Sequence, residues 1–365
     1  MPAIRVKTSK ICNREQTRIS TKESEKFRAF SVCFVDTVVR LQICLQMSIF
    51  IQKSGVLSTI QDLGRTGWRR FGINPNGAMD KSAVRLINIL LGNIEAEAVL
   101  EMHFPAPKIL FEEPAVVALG GANFGAKLDD ESIENWRPFY ARQNQTLSFT
   151  KKLAGNRTYL SIKGGFVIER WLGSTSTNLI ARVGGFQGRA VQKGDRIFFD
   201  SDLKNQSSEF PYKISKNLIP RYSSLPTVRV CAGAEFGRLT APSRQDFTKR
   251  NFTVANDSDR MGFRLSGEPL RLIDKEDFVS SAVNYGTIQL LPDGQMIILM
   301  ADHQTSGGYP RIAHVVSTDL PILGQLGAND KVGFEIISTG EAEQLLLEFE
   351  KDLNLLKIGV NSKYV

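Results

Sequence analysis

Residues 296–310 read "MIILMADHQTSGGYP" and join an apolar run to a polar turn. The run 296–300 predicts a buried strand. Five polar residues and two adjacent glycines follow it: Asp302, His303, Gln304, Thr305, Ser306, Gly307 and Gly308. Because strands hold side chains more firmly than free loops do, we expect the end of this strand to form the rim of a binding site. Asp302 and His303 should point in opposite directions.

The composition is that of a globular protein built from many short strands. Of the 365 residues, 42% are hydrophobic and 23% are charged, and no apolar run approaches the ~20 residues of a membrane span. The 30 glycines mostly separate β-branched runs, which favours strands joined by tight turns. Only four Cys and three His occur, so we expect neither a disulfide framework nor a metal site, and a cytoplasmic location.

The net charge of +8 does not indicate a nucleic-acid partner. Residues 1–46 carry nine Lys/Arg and four Asp/Glu, so most of the excess lies there. From Met47 onward there is neither a basic stripe nor a nucleic-acid motif. We expect residues 1–46 to be an extension outside the fold that precedes a natural start at Met47, although a transit peptide is an alternative.

The rest of the chain divides into two strand-rich blocks. We predict a first block, a linker, a second block and a C-terminal helix with a tail: 47–200, 201–226, 227–340 and 341–365. In the first block, the apolar spacing over 78–93 predicts a helix, with Asp80 as its N-cap. The similar endings "GGFQGRAVQKGDRIFF" and "LGQLGANDKVGFEII" suit two related β-barrels in tandem.

Four polar clusters could carry chemistry. They lie at 59–67, 72–80, 257–267 and 286–309. Arginine offers a planar fork to a carboxylate or phosphate, and Asp302 or Asp62 would serve as a base if its pKa were raised. The alternatives are structural: Asp62 pairs with Arg65 across a turn, or Arg260 belongs to a solvated face.

Familiar catalytic motifs are missing from the sequence. There is no GxSxG elbow, GxxxxGK[ST] phosphate loop or HExxH, and no Met-Lys-Met-like biotin attachment site. If the protein handles ATP or carboxybiotin, other subunits or an unrecognised surface must contribute.

Seven motifs in order resemble those of the biotin-dependent carboxyltransferase family, which includes allophanate hydrolase subunit 2, or urea amidolyase-related proteins, and the C subunit of 5-oxoprolinase. They span about 47–340: "GVLSTIQDLGRTG", "GINPNGAMD", "LGSTST", "GGFQGR", "DSDRMGFRLSG", "GTIQLLPDGQ" and "ADHQTSGGYP". The resemblance implies two cyclophilin-like β-barrels, a mainly β fold with a few short helices. This chain departs from the common pattern at Asn76, Thr175 and Ser306, and the last two positions flank the substrate contacts that the resemblance implies.

For stand-alone members the resemblance implies ATP-dependent hydrolysis of 5-oxo-L-proline to L-glutamate, together with 5-oxoprolinase subunits A and B. The B subunit is the most direct partner, and ATP acts at the level of the complex. The alternatives are carboxyl transfer from biotin to urea or another amide, and a non-enzymatic role against an inhibitor of a kinase. In neither case is biotin attached to this chain.

The site hypothesis places the polar clusters around one cleft. The predicted catalytic residues are Asp302, Gln304, Thr305 and Tyr309. The predicted substrate-binding residues are Gln61, Asp62, Arg65, Arg260, Gln289, Gly307 and Gly308. In this hypothesis Arg65 or Arg260 binds a carboxylate, Asp302 orients or deprotonates a water, and the glycine turn offers backbone donors to an oxyanion.

Overall fold

The computed structural model describes residues 47–200, 210–274 and 278–364. The predicted extension 1–46 and the first part of the predicted linker, 201–209, lie outside the described residues. Contacts group Met47–Val365 as one compact unit. No described helix has the length and apolar character to cross a membrane.

The first half consists of two sheets that enclose a shared core. Its strands are β1 (Met47–Lys53), β2 (Ser58–Gln61), β3 (Val99–His103), β4 (Lys108–Phe111), β5 (Ala115–Asn123), β6 (Ala126–Leu128), β7 (Glu131–Ser132), β8 (Pro138–Ala141), β9 (Thr146–Phe149), β10 (Ala154–Ile162) and β11 (Arg196–Phe199). One sheet has the order β11-β1-β4-β9-β6-β7 and the other β2-β3-β10-β5-β8. Ile49 and Phe111 of the first sheet pack in one cluster with Leu100 and Leu160 of the second.

Helix α1 (Lys81–Leu90) covers the outer face of the second sheet. Its apolar residues recur at helical spacing, and Val84 and Ile87 pack in one buried cluster with Val116 of β5. The Asp80 carboxylate accepts a hydrogen bond from the Ala83 N–H at 2.8 Å, as the predicted N-cap requires.

The second half is a closed barrel. Its strands are β12 (Thr227–Ala232), β13 (Phe252–Val254), β14 (Gly262–Ser266), β15 (Ser281–Ala282), β16 (Thr287–Leu290), β17 (Met296–Leu299), β18 (Ser306–Gly307), β19 (Arg311–Val315) and β20 (Lys331–Ile336). The barrel order is β12-β19-β16-β17-β14-β13-β20, while β15 and β18 form a separate two-stranded ladder. The predicted mainly β architecture is confirmed, with the closed barrel in the second half.

Three further described helices follow in the chain: α2 (Ala241–Lys249), α3 (Leu320–Leu323) and α4 (Thr339–Tyr364). Two 3-10 turns complete the helical content, one in each half: Arg69–Phe71 and Phe236–Arg238. Helix α4 has 26 residues and is longer than the predicted short C-terminal helix. Its Leu353 and Val360 are buried in the same cluster as α1, so tertiary packing supports the added length.

The described part of the predicted linker, 210–226, contains neither a helix nor a strand. It is nevertheless packed, because Phe210 and Ile214 are buried in the α1 cluster. The Tyr222 hydroxyl also donates to the Asp80 carboxylate at 2.7 Å. These contacts tie the connection between the halves to the amino end of α1.

Candidate active site at the junction of the two halves

One side of the site is a charged face of the second sheet. Pairing of β3 with β10 sets Glu101 opposite Tyr159 and His103 opposite Arg157, so all four side chains lie on one face. Their neighbours Leu100 and Leu160 lie on the opposite face, in the core of the first half. The alternation therefore presents acid, base and hydroxyl groups to the second half.

Arg260, on the loop before β14, inserts between the halves and is buried. Its Nε donates to Asp302 Oδ2 at 2.9 Å and its Nη2 to the Gly77 carbonyl at 2.6 Å. Its Nη1 pairs with Glu101 Oε1. Burial alone would lower the pKa of Arg260, but the Asp302 and Glu101 carboxylates outweigh it and raise that pKa above its usual range.

Asn76 extends this network to the end of β2. Its Nδ2 donates to Asp302 Oδ1 at 2.8 Å, and its Oδ1 accepts from Arg65 Nη1. Arg65 also donates through Nη2 to the Ser176 carbonyl at 2.6 Å and lies over the Trp171 ring. Asn76 has a φ of +53°, which asparagine tolerates better than most residues. Asn76 thus links Arg65 to Asp302.

The Asp62 carboxylate accepts several hydrogen bonds from residues of the first half. It accepts from the Ser176 and Ser174 hydroxyls at 2.5 and 2.7 Å and from the Thr175 and Gly64 N–H groups, each at 2.7 Å. Burial would raise the pKa of Asp62, but these bonds hold it below the usual range. The contacts favour a structural role that anchors the 174–176 loop, and they do not favour the role of a base.

The structure brings five of the predicted site residues to this junction: Gln61, Asp62, Arg65, Arg260 and Asp302. Gln61 is buried and donates to the Thr59 hydroxyl at 3.0 Å. The contacts do not favour the predicted binding of a substrate carboxylate by Arg65 or Arg260, because both guanidinium groups already donate hydrogen bonds to acceptors of the protein. Asp302 accepts three hydrogen bonds from its neighbours. Of its two predicted roles, the contacts favour orienting over deprotonating.

The remaining predicted residues lie on the outer side of the barrel. Gln289 is buried, donates to the Tyr309 carbonyl at 3.2 Å, and leaves its Oε1 without a partner. A side chain at Gly307 would approach within 2.8 Å of Gln289, so glycine permits this packing. Gln289, Gln304 and Tyr309 line a cavity of about 610 Å³.

Two predicted residues of this turn act through the backbone in the described structure. The Thr305 carbonyl accepts from the Val283 N–H at 3.3 Å. A Cβ at Gly308 would lie 3.2 Å from the Phe278 carbonyl oxygen. The glycine turn is thus held against the 278–283 segment.

A second cavity, of about 500 Å³, adjoins the Arg260–Asp302 pair. Its walls include His103, Arg157, Arg260, Asp302 and Asp259, and Asp259 also lines the 610 Å³ cavity. Burial, reinforced by the positive charges of Arg157 and Arg260, lowers the pKa of His103 to about 3. His103 is therefore neutral at physiological pH.

A third cavity, of about 510 Å³, lies on the other side of Asn76. It is lined by four basic residues that the predicted site did not include: Lys81, Arg69, His303 and Arg85, of which Arg85 is paired with Glu95 and Glu350. His303 and Asp302 face different cavities, as predicted, although both follow the end of β17 in a turn that is closed by donation from the His303 N–H to the Met300 carbonyl at 3.1 Å. A signal in the sequence was the position of Lys81 directly after the motif "GINPNGAMD".

The geometry of His303 fixes its tautomer. Nδ1 lies 2.5 Å from the Gln304 carbonyl oxygen, which can only accept, so Nδ1 carries the proton. Burial, with Arg69 and Lys81 nearby, lowers the pKa of His303. The neutral ring then keeps a lone pair on Nε2. Among the described residues, no group of three or more His, Cys, Asp or Glu side chains could hold a metal ion.

Comparison with known proteins identifies the class to which this fold and site belong. The family described as "Carboxyltransferase domain, subdomain A and B" matches residues 71–336. The chain belongs to this family.

Individual relatives extend the match. The chain is 35% identical to the C subunit of 5-oxoprolinase from Haemophilus influenzae over 308 residues, 84% of this chain and 96% of that protein. It is 34% identical to the C subunit of 5-oxoprolinase from Escherichia coli over 296 residues, 80% of this chain and 92% of that protein. The crystal structure of K. lactis urea amidolyase superposes with a TM-score of 0.79 at 28% identity, over 85% of this chain but 20% of that one.

Proposed function

We propose that this chain is the C subunit of a cytoplasmic, ATP-dependent 5-oxoprolinase that hydrolyses 5-oxo-L-proline to L-glutamate with subunits A and B. One observation carries the proposal. The match covers 96% of a stand-alone relative that is named as the C subunit of 5-oxoprolinase, so it extends over almost the whole of that subunit. The buried polar junction beside three cavities supplies a site of suitable chemistry.

The reaction requires water to attack the ring carbonyl and the ring nitrogen to leave as an amine. Arg260 and Asn76 fix the Asp302 carboxylate at a cavity wall, where it can orient a polar group. Gln304 and Tyr309, beside the glycine turn, offer polar contacts to the substrate or to a partner subunit. The sequence lacks a phosphate loop, so we assign ATP binding to the complex.

The test is co-expression with the neighbouring genome-encoded subunits A and B, followed by assay of ADP and glutamate formation from 5-oxoproline. Asp302→Asn should lower turnover by ~10²-fold or more, since it removes a fixed charge from the site. Because Asp302 is buried, its variant is checked for folding by thermal unfolding. Gln304→Ala, at an exposed position, should lower turnover without affecting the fold.

Asp130→Asn is the matched control, because Asp130 is exposed and lines none of the three cavities. Full ATP-coupled activity of both the Asp302→Asn and the Gln304→Ala complexes would contradict the assigned roles. A reconstituted complex that forms no glutamate from 5-oxoproline would refute the proposed function itself.

The similarity to K. lactis urea amidolyase favours a second candidate, carboxyl transfer to urea or another small amide. Here the chain spans a fifth of the relative's length, so a biotin carrier and a carboxylase would have to come from other chains. Urea-dependent ATP hydrolysis by an assembly of this chain with such partners, without activity on 5-oxoproline, would favour this candidate.

A further inference from the structure

Lys81 and Arg69 differ from the other basic residues of the junction. Arg260 is paired with two carboxylates. Arg65 donates hydrogen bonds to the Asn76 side-chain amide oxygen and to the Ser176 carbonyl. Lys81 and Arg69 line the 510 Å³ cavity, and neither forms an ion pair with any described residue. The one carboxylate on this cavity wall, Glu95, is already paired with Arg85 and Lys357.

Contacts with the second half fix the position of Arg69. Its guanidinium donates to the Asn284 side chain and to the Val283 carbonyl, both neutral acceptors. Its Nε is buried without a partner. Arg69 is therefore anchored at the cavity while its positive charge is not neutralised.

Lys81 enters the same cavity from the first turn of α1. Its Nζ lies 6.0 Å from the centre of the Tyr285 ring, and the Tyr285 hydroxyl is fixed by donation to the Met79 carbonyl at 2.6 Å. Burial lowers the pKa of Lys81, and the attraction of the Asp62 carboxylate, with which Lys81 forms no ion pair, offsets only part of this effect. Lys81 and Arg69 are both half-buried, so an anion between them would offset the cost of partly removing both charges from water.

The rest of the lining indicates what kind of anion fits. Much of it is apolar: Leu63, Pro75, Met79, Leu320, Pro321 and Phe349. An inorganic phosphate would leave these groups without contact, whereas a small organic acid would place its carbon skeleton on them. His303 Nε2 adds an acceptor for an N–H donor.

We propose that this cavity binds a small organic carboxylate, with Lys81 and Arg69 contacting the carboxylate group and the apolar wall contacting the carbon skeleton. Taking the acid to be 5-oxo-L-proline rests on the proposed function. The site itself rests on the two unpaired cations and the lining. In this proposal Lys81 and Arg69 bind the substrate carboxylate, a role for which the sequence had suggested Arg65 or Arg260.

The test compares three probes on the purified full chain and on its complex with subunits A and B. The probes are 5-oxo-L-proline, 2-pyrrolidinone, which has the same ring without the carboxylate, and inorganic phosphate. Binding is measured by saturation-transfer NMR. We expect 5-oxoproline to bind at least ~10-fold more tightly than 2-pyrrolidinone, and phosphate to compete weakly, because a charge-assisted contact is lost with the carboxylate.

Lys81→Met removes the charge while keeping most of the apolar stem. It should weaken 5-oxoproline binding ~10-fold or more and leave 2-pyrrolidinone binding unchanged. Lys108→Met, at an exposed position on β4, is the charge-matched control and should bind like the wild type.

Four outcomes would overturn the site: no binding of 5-oxoproline to chain or complex, equal binding of acid and lactam, tighter binding of phosphate than of 5-oxoproline, or no effect of Lys81→Met. Lys81-dependent binding of 5-oxoproline in an assembly that forms no glutamate would leave the site standing and refute only the proposed function. The two failures are thus distinguishable.

Discussion

Two charged clusters lie on either side of Asn76 and differ in how their charges are compensated. In the Arg260 cluster, guanidinium and carboxylate groups satisfy each other across the junction. In the Lys81 cluster, two cations face a cavity without a carboxylate partner among the described residues. Paired buried charges hold the halves in register, whereas unpaired ones are available to a ligand. Whether a charged side chain is paired therefore indicates whether it stabilises the junction or is available to bind a ligand. Single substitutions test this distinction.

Arg260→Met should have the largest effect on stability. It leaves Glu101 and Asp302 buried without their common partner, and breaking a buried pair in this way costs about 3–5 kcal/mol. Denaturant unfolding measures the loss. Arg264→Met, which removes one member of an exposed pair, should change stability by less than ~1 kcal/mol. Equal unfolding free energies for the two variants would show that the Arg260 cluster does not hold the halves together.

Asp80 provides an intermediate case, a buried carboxylate with neutral donors and no cation. Burial raises the pKa of Asp80 from 3.8 to about 6, although Gln325, Ala83 and Tyr222 donate to it. Because the folded-state pKa is the higher one, its contribution to stability is complete below pH 3.8 and is lost as the pH rises through about 6.

The wild type should therefore lose on the order of 3 kcal/mol of stability relative to Asp80→Asn between pH 3.8 and pH 7. The measurement is the unfolding free energy of both proteins across this range, compared by slope, because the substitution adds its own constant offset. Parallel pH profiles would mean that Asp80 titrates normally.

Gly77→Ala should have a smaller effect, confined to the backbone that presents Asn76. Gly77 has a φ of +102°, and a Cβ there would lie 2.9 Å from the Gly64 nitrogen. Gly67→Ala shares the positive φ, at +87°, with no atom within 4 Å. We expect Gly77→Ala to cost about 1–3 kcal/mol more than Gly67→Ala in thermal or denaturant unfolding. A difference near zero would indicate that the turn relaxes freely.

Lys81→Met should have the smallest effect on stability, within ~1 kcal/mol of wild type, since the charge it removes has no partner in the described structure. The unfolding free energies of the Lys81→Met and Arg260→Met variants, measured under the same conditions, compare the contributions of the two clusters to stability. A loss for Lys81→Met as large as that for Arg260→Met would reveal a structural role and remove the reason to assign a ligand.

The sequence predicted the parts of this molecule that depend on local patterns. Alternating apolar residues predicted the strands, and helical spacing with Asp80 predicted α1 and its cap. The closed barrel of the second half was expected from the resemblance. The two open sheets of the first half depend on long-range pairing, such as β10 with both β3 and β5, which no local pattern specifies.

The candidate site was predicted less completely. The convergence of Arg65, Arg260 and Asp302 on one junction was expected from the motifs, but the pairing of Arg260 with Asp302 and the donation of Arg65 to Asn76 and Ser176 were not. A sequence gives residue types and not partners, so a saturated arginine and a free one look alike. Lys81 lies in a helix and Arg69 in a 3-10 turn, where the sequence pattern does not indicate a site residue. Only their contacts in the structure show that their charges are unpaired and can bind a ligand.

The central claim is that unpaired charge at this junction marks the substrate site. The most direct test is a 5-oxoproline titration of glutamate formation by the reconstituted complex, with wild type, Lys81→Met and Lys108→Met in parallel. We expect Lys81→Met to raise KM ~10-fold or more and Lys108→Met to leave it unchanged. An unchanged KM in the active Lys81→Met complex would contradict it.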